Sequence, residues 1–262
     1  MKMRLSSPRA ESIAARFSVF PQVTAIALSG SEGAGEADAL SDIDLYVYAD
    51  AEIPIPARRA MAFDFADRVE IDNRFWEAGD EWIDRASGTG IDIMYRSRAW
   101  IQDQLARVLE RHEASIGYST CFWWNVLHSR ALYDPTGWYA SLRQTARQPY
   151  PAELRRAIVA KNFPILRNNI SSYRRQIETA LERGDWASVH HRVNAFLASY
   201  WDILFALNGV PHPGEKRTVE YARRLCKKLP PRWEQVAEAL LRRPALAHLD
   251  CLADGLERIL RG

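Results

Sequence analysis

The sequence has 262 residues, of which 47% are hydrophobic and 26% charged, with a net charge of +2. This composition is typical of a globular protein and excludes a disordered tail, a collagen-like fibre and a disulfide-rich miniprotein, while the balanced charge does not favour nucleic acid as the main partner. Because no apolar run reaches the ~18 residues of a membrane span, no secretory signal opens the sequence and the cysteines are far apart, we predict a cytoplasmic protein with reduced thiols and no membrane contact.

The first part of the chain alternates helical and strand patterns. A helix is expected to begin at Ser7-Pro8, where Ser can cap and Pro fits the first turn, and to end before Pro21. A second helix is expected over Ala57–Arg68. Glycine-rich turns are predicted at Gly30–Gly35 and Gly88–Gly90. Strands are predicted at Val23–Leu28, Ile43–Tyr48, Glu70–Trp76 and Ile91–Tyr95.

From about Ala99 onwards the pattern predicts long helices and no strand. Pro164 is expected to kink the longest of them. A proline-rich break at residues 149–151 suggests a boundary between a domain at 1–148 and a helical domain at 149–262, although the helices of 98–147 could belong to either. The predicted fold is α+β, a mixed-sheet core followed by an all-α helical bundle. The predicted helices are 98–112, 118–131, 136–147, 152–183, 186–208, 215–228, 232–243 and 245–260.

The most informative residues are a Gly-Ser turn and a pair of aspartates. Asp42 and Asp44 are two residues apart on a predicted strand, so their carboxylates project from the same face. Two such anions are costly unless a cation lies between them, and oxygen ligands of this kind suit Mg²⁺. Gly30-Ser31 leaves the preceding strand in a turn whose backbone N–H groups and hydroxyl can approach a phosphate closely. An isolated Asp-x-Asp on an exposed strand is more often simply solvated.

The combination of these features resembles the signature of the DNA polymerase beta-like nucleotidyltransferase superfamily. A hydrophobic strand leads into Gly30-Ser31, ten residues follow, and Asp-Ile-Asp-Leu begins at Asp42. The superfamily pattern adds a third acid on a later strand, where Asp92 stands. The resemblance implies a catalytic core over about residues 1–110 that binds two Mg²⁺ ions. Asp42 and Asp44 would be ligands of both metals, Asp92 would bind the catalytic metal, and Gly30 and Ser31 would hold the terminal phosphates of ATP or another NTP.

The second half of the chain carries an excess of positive charge. Residues 150–262 contain 19 Lys and Arg against 12 Asp and Glu, whereas residues 1–149 contain 16 against 21. Lys216 and Arg217 follow the turn at Asn208-Gly209 and precede a predicted helix, which is a candidate site for the triphosphate or a substrate anion. Solvated surface cations are an equally good interpretation. This segment, together with residues 126–135, is similar to bacterial nucleotidyltransferases with a C-terminal helical domain, whose two-part plan the kanamycin and lincosamide enzymes share.

These features predict a nucleotidyltransferase that transfers an NMP to a hydroxyl of a small-molecule acceptor and releases pyrophosphate. AMP from ATP is the expected donor group, because ATP is the commonest donor among members of the superfamily that act on small substrates. Two alternatives stay open: a toxin-like enzyme that modifies a protein or a tRNA end, and a catalytically silent nucleotide-binding module. The acceptor is not determined by the sequence, and neither is the choice between a monomer and a homodimer.

Several further polar residues stay undecided. An acidic stretch precedes the Asp92 strand and could receive a cationic acceptor or simply be solvated. Lys161 and the histidine pair lie in predicted helices, where surface or packing roles are the simpler interpretation. The undecided residues are Glu77, Asp80, Glu81, Lys161, His190 and His191.

Overall fold

The computed structural model describes residues 7–35, 38, 41–75 and 77–261. The described residues form two compact units. The first takes in the chain up to Leu105 together with Asn125–Gln148, and the second consists of Ala106–Trp124 and the chain from Pro149 onwards. A unit boundary lies between Gln148 and Pro149, and Ala106–Trp124 groups with the second unit. No helix in the described part of the chain is long and apolar enough to span a membrane.

The first unit is built on one mixed sheet. Among the described residues its six strands are β1 (Val23–Leu28), β2 (Ile43–Ala49), β3 (Ala66–Asn73), β4 (Gly79–Asp84), β5 (Gly90–Arg96) and β6 (Arg130–Tyr133). The strand order is β3-β4-β5-β2-β1-β6. β2 and β5 are parallel and the other neighbours are antiparallel. Consequently β2, which carries Asp44, lies next to β5, which carries Asp92.

Helices make up most of the rest of the chain, and the predicted α+β fold followed by a helical domain is confirmed. Two of the helices, α4 and α5, continue from one unit into the other. The helices that begin before residue 149 are α1 (Pro8–Phe17), α2 (Gly30–Ala34), α3 (Ile55–Phe65), α4 (Arg98–Leu109), α5 (Cys121–His128) and α6 (Trp138–Ala146). Those that follow are α7 (Ala152–Arg167), α8 (Tyr173–Arg183), α9 (Trp186–Leu207), α10 (Thr218–Leu225), α11 (Trp233–Arg242) and α12 (Leu246–Arg261).

Alternation along β2 decides which face of the sheet is buried. Ile43, Leu45 and Val47 belong to the hydrophobic core, which also contains side chains of α1 and α3 such as Phe17 and Met61. Because successive side chains of a strand point to opposite faces, Asp44 and Tyr46 project from the other face. The sequence pattern of this strand therefore places Asp44 on the face opposite the core.

The predicted strand at Glu70–Trp76 is wrong in its bounds, and β4 was not predicted. β3 begins at Ala66, directly after α3, while Trp76 lies outside the described residues. In β4 the buried side chains are those of Asp80, Trp82 and Asp84, and two of these three are acidic. Arg58 and Arg9 pair with these two carboxylates at 3.0 and 2.9 Å. A hydropathy pattern cannot recognise a strand whose buried side chains are ion pairs.

The helical part also departs from the prediction at two places. The predicted helix 118–131 ends at His128, and Arg130–Tyr133 forms β6 beside β1, although no strand was expected there. The predicted helix 152–183 is two helices, since α7 ends at Arg167 and α8 starts at Tyr173. Pro164 lies inside α7, and the helix ends three residues later, at Arg167. The Pro164 carbonyl accepts hydrogen bonds from the backbone N–H groups of Asn168 and Asn169, directly after the helix.

A buried polar network explains why Ala106–Trp124 packs with the second unit. The Ser119 backbone N–H and hydroxyl both donate to the Asp202 carboxylate, at 3.0 and 2.6 Å. The Asn162 side chain accepts from the Gly117 N–H at 3.0 Å and donates to the Ser115 carbonyl at 2.9 Å. Asp202 and Asn162 are buried side chains of α9 and α7. If Ala106–Trp124 did not pair with them, these polar groups would be buried without those hydrogen bonds, which costs free energy.

Asp202 is expected to make the stability of the protein depend on pH. Burial raises the pKa of Asp202 to about 6, and the Ser119 hydrogen bonds and the charge of Arg107 only partly offset this effect. A carboxyl group with a raised folded-state pKa stabilises the protein at low pH, and that contribution is lost as the pH rises through the folded-state pKa. Relative to Asp202→Asn, we expect the wild type to lose about 3 kcal/mol of unfolding free energy between about pH 4 and pH 7.

Urea unfolding of both proteins at several pH values measures this difference. His212 is also buried, and burial lowers its pKa to about 3, which acts in the opposite direction. Its contribution is present in both proteins and cancels in the comparison. A difference in unfolding free energy that stays constant with pH would show that Asp202 ionises normally in the folded state.

Candidate active site

The site begins at the turn after β1. Ser29 is buried, and its backbone N–H donates to the Asp44 carbonyl at 2.8 Å, which joins the end of β1 to the start of β2. Gly30 follows with φ of +59°, a left-handed conformation that favours glycine. A Cβ atom at Gly30 would lie 1.8 Å from Asp44 Oδ2. The Asp44 carboxylate therefore lies directly against the Gly30 backbone, and this turn can contain no side chain at that position.

Asp44 and Asp92 are direct neighbours across the sheet. The parallel register of β2 and β5 pairs Asp44 with Asp92, flanked by the pairs Ile43–Ile91 and Leu45–Ile93. Residues paired in this way project from the same face of adjacent strands, which lie about 4.8 Å apart. Both aspartates are half-buried, whereas the flanking isoleucines and leucine are buried on the opposite face. The structure therefore brings these two predicted acids together.

Asp42 lies on the same face, next to Gly90. It directly precedes β2 and is exposed. A Cβ atom at Gly90 would lie 2.6 Å from Asp42 Oδ1. Because Gly90 is two residues before Asp92, that Cβ would point to the face from which Asp92 projects. The Asp42 carboxylate is therefore placed over the start of β5, on the face that carries Asp44 and Asp92.

The side chains do not form a metal-ligating cluster as they stand. Within residues 7–35, 38, 41–75 and 77–261, no three His, Cys, Asp or Glu side chains are grouped so that they could hold a metal ion. The structure thus places the three aspartates on one face at neighbouring positions without closing their carboxylates into one ligand set. Carboxylates of like charge repel one another, and a cation would be needed to draw them together.

Glu81 is a further acid on this face. The antiparallel register of β4 and β5 pairs Glu81 with Asp92, so Asp44, Asp92 and Glu81 form a row across three strands. The Asn73 side-chain amide donates to Glu81 Oε1 at 2.7 Å. The sequence identified Glu81 only as part of an acidic stretch, because its place beside Asp92 depends on a register that local sequence does not determine.

The neighbouring acids Asp80 and Glu77 have structural partners. Asp80 is buried on the opposite face, where Arg58 lies at 3.0 Å and the Tyr95 hydroxyl donates to it at 2.5 Å. Burial raises the pKa of Asp80, and the Tyr95 hydrogen bond and the Arg58 charge act against that shift. Glu77 accepts two hydrogen bonds from Arg96, at 2.9 and 2.8 Å. These ion pairs explain both residues without a catalytic role.

Aromatic side chains cover the remainder of the face. The Arg96 guanidinium lies 3.7 Å from the centre of the Tyr46 ring, and Asn125 donates to the Tyr46 hydroxyl at 3.2 Å. Further along β2, the Tyr48 ring packs against Trp138 and Tyr139 of α6, with ring centroids 5.2 and 5.4 Å apart. The face is therefore covered toward the end of β2, whereas its beginning, with exposed Asp42 and half-buried Asp44, is accessible to solvent.

The predicted nucleotide-binding residues are divided between the two units. Gly30 and Ser31 are the first residues of α2 in the first unit. Lys216 and Arg217 belong to the second unit, where both are exposed and directly precede α10. Their loop is held by buried His212, whose backbone N–H donates to Thr120 Oγ1 at 2.7 Å and whose Nδ1 accepts from the Gly214 N–H at 3.0 Å. The two cations thus stand on an anchored loop.

The undecided residues of the helical region lie on its surface. Lys161 is exposed on α7. His190 and His191 are exposed on α9, where the His190 ring lies 6.4 Å from that of Trp186. Their exposure agrees with the surface interpretation of all three residues.

Comparison with known proteins gives only distant similarities. No protein-family model and no curated protein matches the chain. A nucleotidyltransferase-like protein from Exiguobacterium sibiricum 255-15 is 14% identical, with a TM-score of 0.45 over 98% of this chain and 75% of that one. CdnC of E. coli MS115-1, in a complex with HORMA-deltaN, is 13% identical, with a TM-score of 0.28 over 95% of this chain and 89% of that one. At these scores neither structure identifies the family of this chain.

Proposed function

We propose that this protein is a Mg²⁺-dependent nucleotidyltransferase that transfers an NMP, AMP from ATP in the first instance, to a hydroxyl of a small molecule. One observation carries the proposal: the Asp44 carboxylate lies against the Gly30 turn and in register with Asp92. This arrangement sets a turn suited to phosphate beside two carboxylates suited to a divalent cation. The superfamily signature in the sequence supports the same conclusion.

The donor set suits magnesium. Asp42, Asp44 and Asp92 offer oxygen atoms only, which is the ligand type that Mg²⁺ prefers, and these three residues would hold two ions. When bound, Mg²⁺ neutralises phosphate charge and lowers the pKa of an attacking hydroxyl. Zinc sites are usually built from histidine and cysteine ligands, and this set of three aspartates contains neither.

The other groups have roles that follow from their positions. The Gly30–Ser31 backbone and the Ser31 hydroxyl would hold the terminal phosphates, because glycine lets the chain approach them closely. Lys216 and Arg217 of the second unit are proposed to bind the nucleotide as exposed cations before α10. Asp92 would accept the proton of the acceptor hydroxyl. Most of the rate enhancement would then come from positioning and charge neutralisation.

The reaction balances without a further reactant. The acceptor oxygen forms a bond to the α-phosphorus, and the bond between that phosphorus and the bridging oxygen of pyrophosphate breaks. The acceptor proton passes to Asp92, and pyrophosphate leaves with the electron pair of the broken bond. Glu81 lies beside Asp92 on the same face of the sheet, on β4, so that β5 separates it from β2.

Pyrophosphate release tests the proposal. The protein is incubated with Mg²⁺ and each labelled NTP against aminoglycosides, lincosamides, tRNA and proteins, with and without EDTA. We expect Mg²⁺-dependent pyrophosphate release and label transfer to a small molecule. Transfer to tRNA or protein would favour the toxin-like alternative, and nucleotide binding without turnover under any condition would favour the silent module.

Gly90→Ala tests the position of Asp42 separately. The new Cβ would lie 2.6 Å from Asp42 Oδ1, so the carboxylate must move away from the start of β5. We expect about a ten-fold loss of turnover, because small misplacements of catalytic groups are costly. The fold should be kept, since only the end of a flexible side chain is displaced. Steady-state turnover and the melting temperature measure the two effects, and wild-type turnover in this variant would remove Asp42 from the site.

A further inference from the structure

A groove in the second unit has a chemical character different from that of the aspartate site. It is formed by the first half of α7, the last residue of α9, the segment after α10 and the last turn of α12, and its volume is about 440 Å³. This size falls within the range of small-molecule pockets. Its lining combines Arg155, Arg156 and Lys228 with Val159, Leu207 and Ile259.

The charged residues of the groove are all cations. Arg156 pairs with Glu153 at 2.7 Å, whereas Arg155 and Lys228 form no ion pair within the part of the chain that the structure describes. Lys228 is nevertheless fixed in place. Its backbone N–H donates to Asn208 Oδ1 at 2.7 Å, and its carbonyl accepts from Asn208 Nδ2 at 3.0 Å. The groove therefore carries two cations that form no ion pair with the described residues, and the backbone of one of them, Lys228, is held by Asn208.

The apolar residues form the floor of the groove. Val159, Leu207 and Ile259 are partly buried side chains that pack against the hydrophobic core of the second unit. Each lies on a separate helix, so the floor is built by the packing of three elements. Covering apolar surface with another apolar group removes it from water and lowers the free energy.

We propose that this groove binds an organic anion with an apolar body. The anionic head would lie between Arg155 and Lys228, and the body would cover Val159, Leu207 and Ile259. A simple inorganic anion would leave the floor exposed, and a neutral apolar molecule would leave the two cations uncompensated. This ligand class therefore satisfies both parts of the lining, and the inference does not depend on nucleotidyl transfer.

Decanoate is a suitable probe, because it carries one carboxylate on a hydrocarbon chain. The full-length protein is titrated with decanoate below its micelle concentration, by calorimetry and by methyl NMR. We expect saturable binding of one decanoate, with shifts of the methyl signals of Val159, Leu207 and Ile259. The double variant Arg155→Gln, Lys228→Gln should bind at least ten-fold more weakly. Arg243→Gln, an exposed arginine of the same unit outside the groove, should bind like the wild type.

Three results would overturn the proposal. The first is no saturable binding, or binding that leaves the three methyl signals unmoved. The second is equal affinity for decanoate in the wild type and the double variant. The third is that the wild type binds 1-decanol as tightly as decanoate, which would show that the anionic head does not contribute to binding. Melting temperatures of the variants confirm that folding is kept, since both substituted side chains are exposed.

Discussion

Asp44→Asn is expected to lower nucleotidyl transfer by on the order of a thousand-fold, because a lost metal ligand removes several kcal/mol of transition-state stabilisation. Asparagine has the shape of aspartate and can occupy the same place against Gly30. It removes the negative charge and with it the repulsion from Asp92, and it turns one carboxylate oxygen into an amide NH2 group, so we expect the protein to stay folded. A large loss of activity in a fully folded protein is the outcome that distinguishes a ligand from a structural residue.

Asp64→Asn is the matched control for this experiment. Asp64 is an exposed aspartate of α3 in the same unit, and its ion pair with Arg16 is on the surface, where such pairs contribute little. The control should keep wild-type turnover and stability. Mn²⁺ binding followed by electron paramagnetic resonance should weaken in Asp44→Asn only. Equal turnover in the wild type and Asp44→Asn would reject the metal assignment together with the proposed function.

The features that the sequence predicted well depend on local pattern. Ile43, Leu45 and Val47 alternate with polar side chains, so the strand and its buried face could be identified without knowing any partner. The glycine-rich turn predicted at Gly30–Gly35 is confirmed only at its two ends, where Gly30 and Gly35 have a positive φ, because Gly30–Ala34 forms the short helix α2. The bounds of β1 agree with the predicted strand because its buried run is bordered by clear turn signals.

The features that the sequence could not predict depend on tertiary pairing. β4 buries Asp80 and Asp84, whose partners Arg58 and Arg9 come from distant helices, so its polar sequence hides a buried face. The register that sets Glu81 beside Asp92 likewise depends on the pairing of β4 with β5. The Ala106–Trp124 segment joins the second unit through Ser119 and Asp202, two residues far apart in sequence. Each of these features depends on which elements pair in the folded chain, and a local sequence pattern does not determine that pairing.

Gly30→Ala is expected to disable the site in a different way, by moving the Asp44 carboxylate. The new Cβ would lie 1.8 Å from Asp44 Oδ2, whereas real contacts of this kind are essentially never under 3.0 Å. The carboxylate must therefore shift by about 1 Å or more, and a displacement of that size can cost about a hundred-fold in rate. Because φ is +59°, alanine also carries about 1–2 kcal/mol of backbone strain.

Gly35→Ala separates these two effects. Gly35 also has a positive φ, +74°, but no described atom lies within 4 Å of a Cβ placed there. The Gly35→Ala variant should therefore lose stability from backbone strain alone and keep most of its turnover. Urea unfolding and pyrophosphate release measure both variants side by side. If the two alanine variants lost activity equally, backbone strain would account for the loss. The contact between Gly30 and Asp44, on which the proposed phosphate and metal positions depend, would then have no part in turnover.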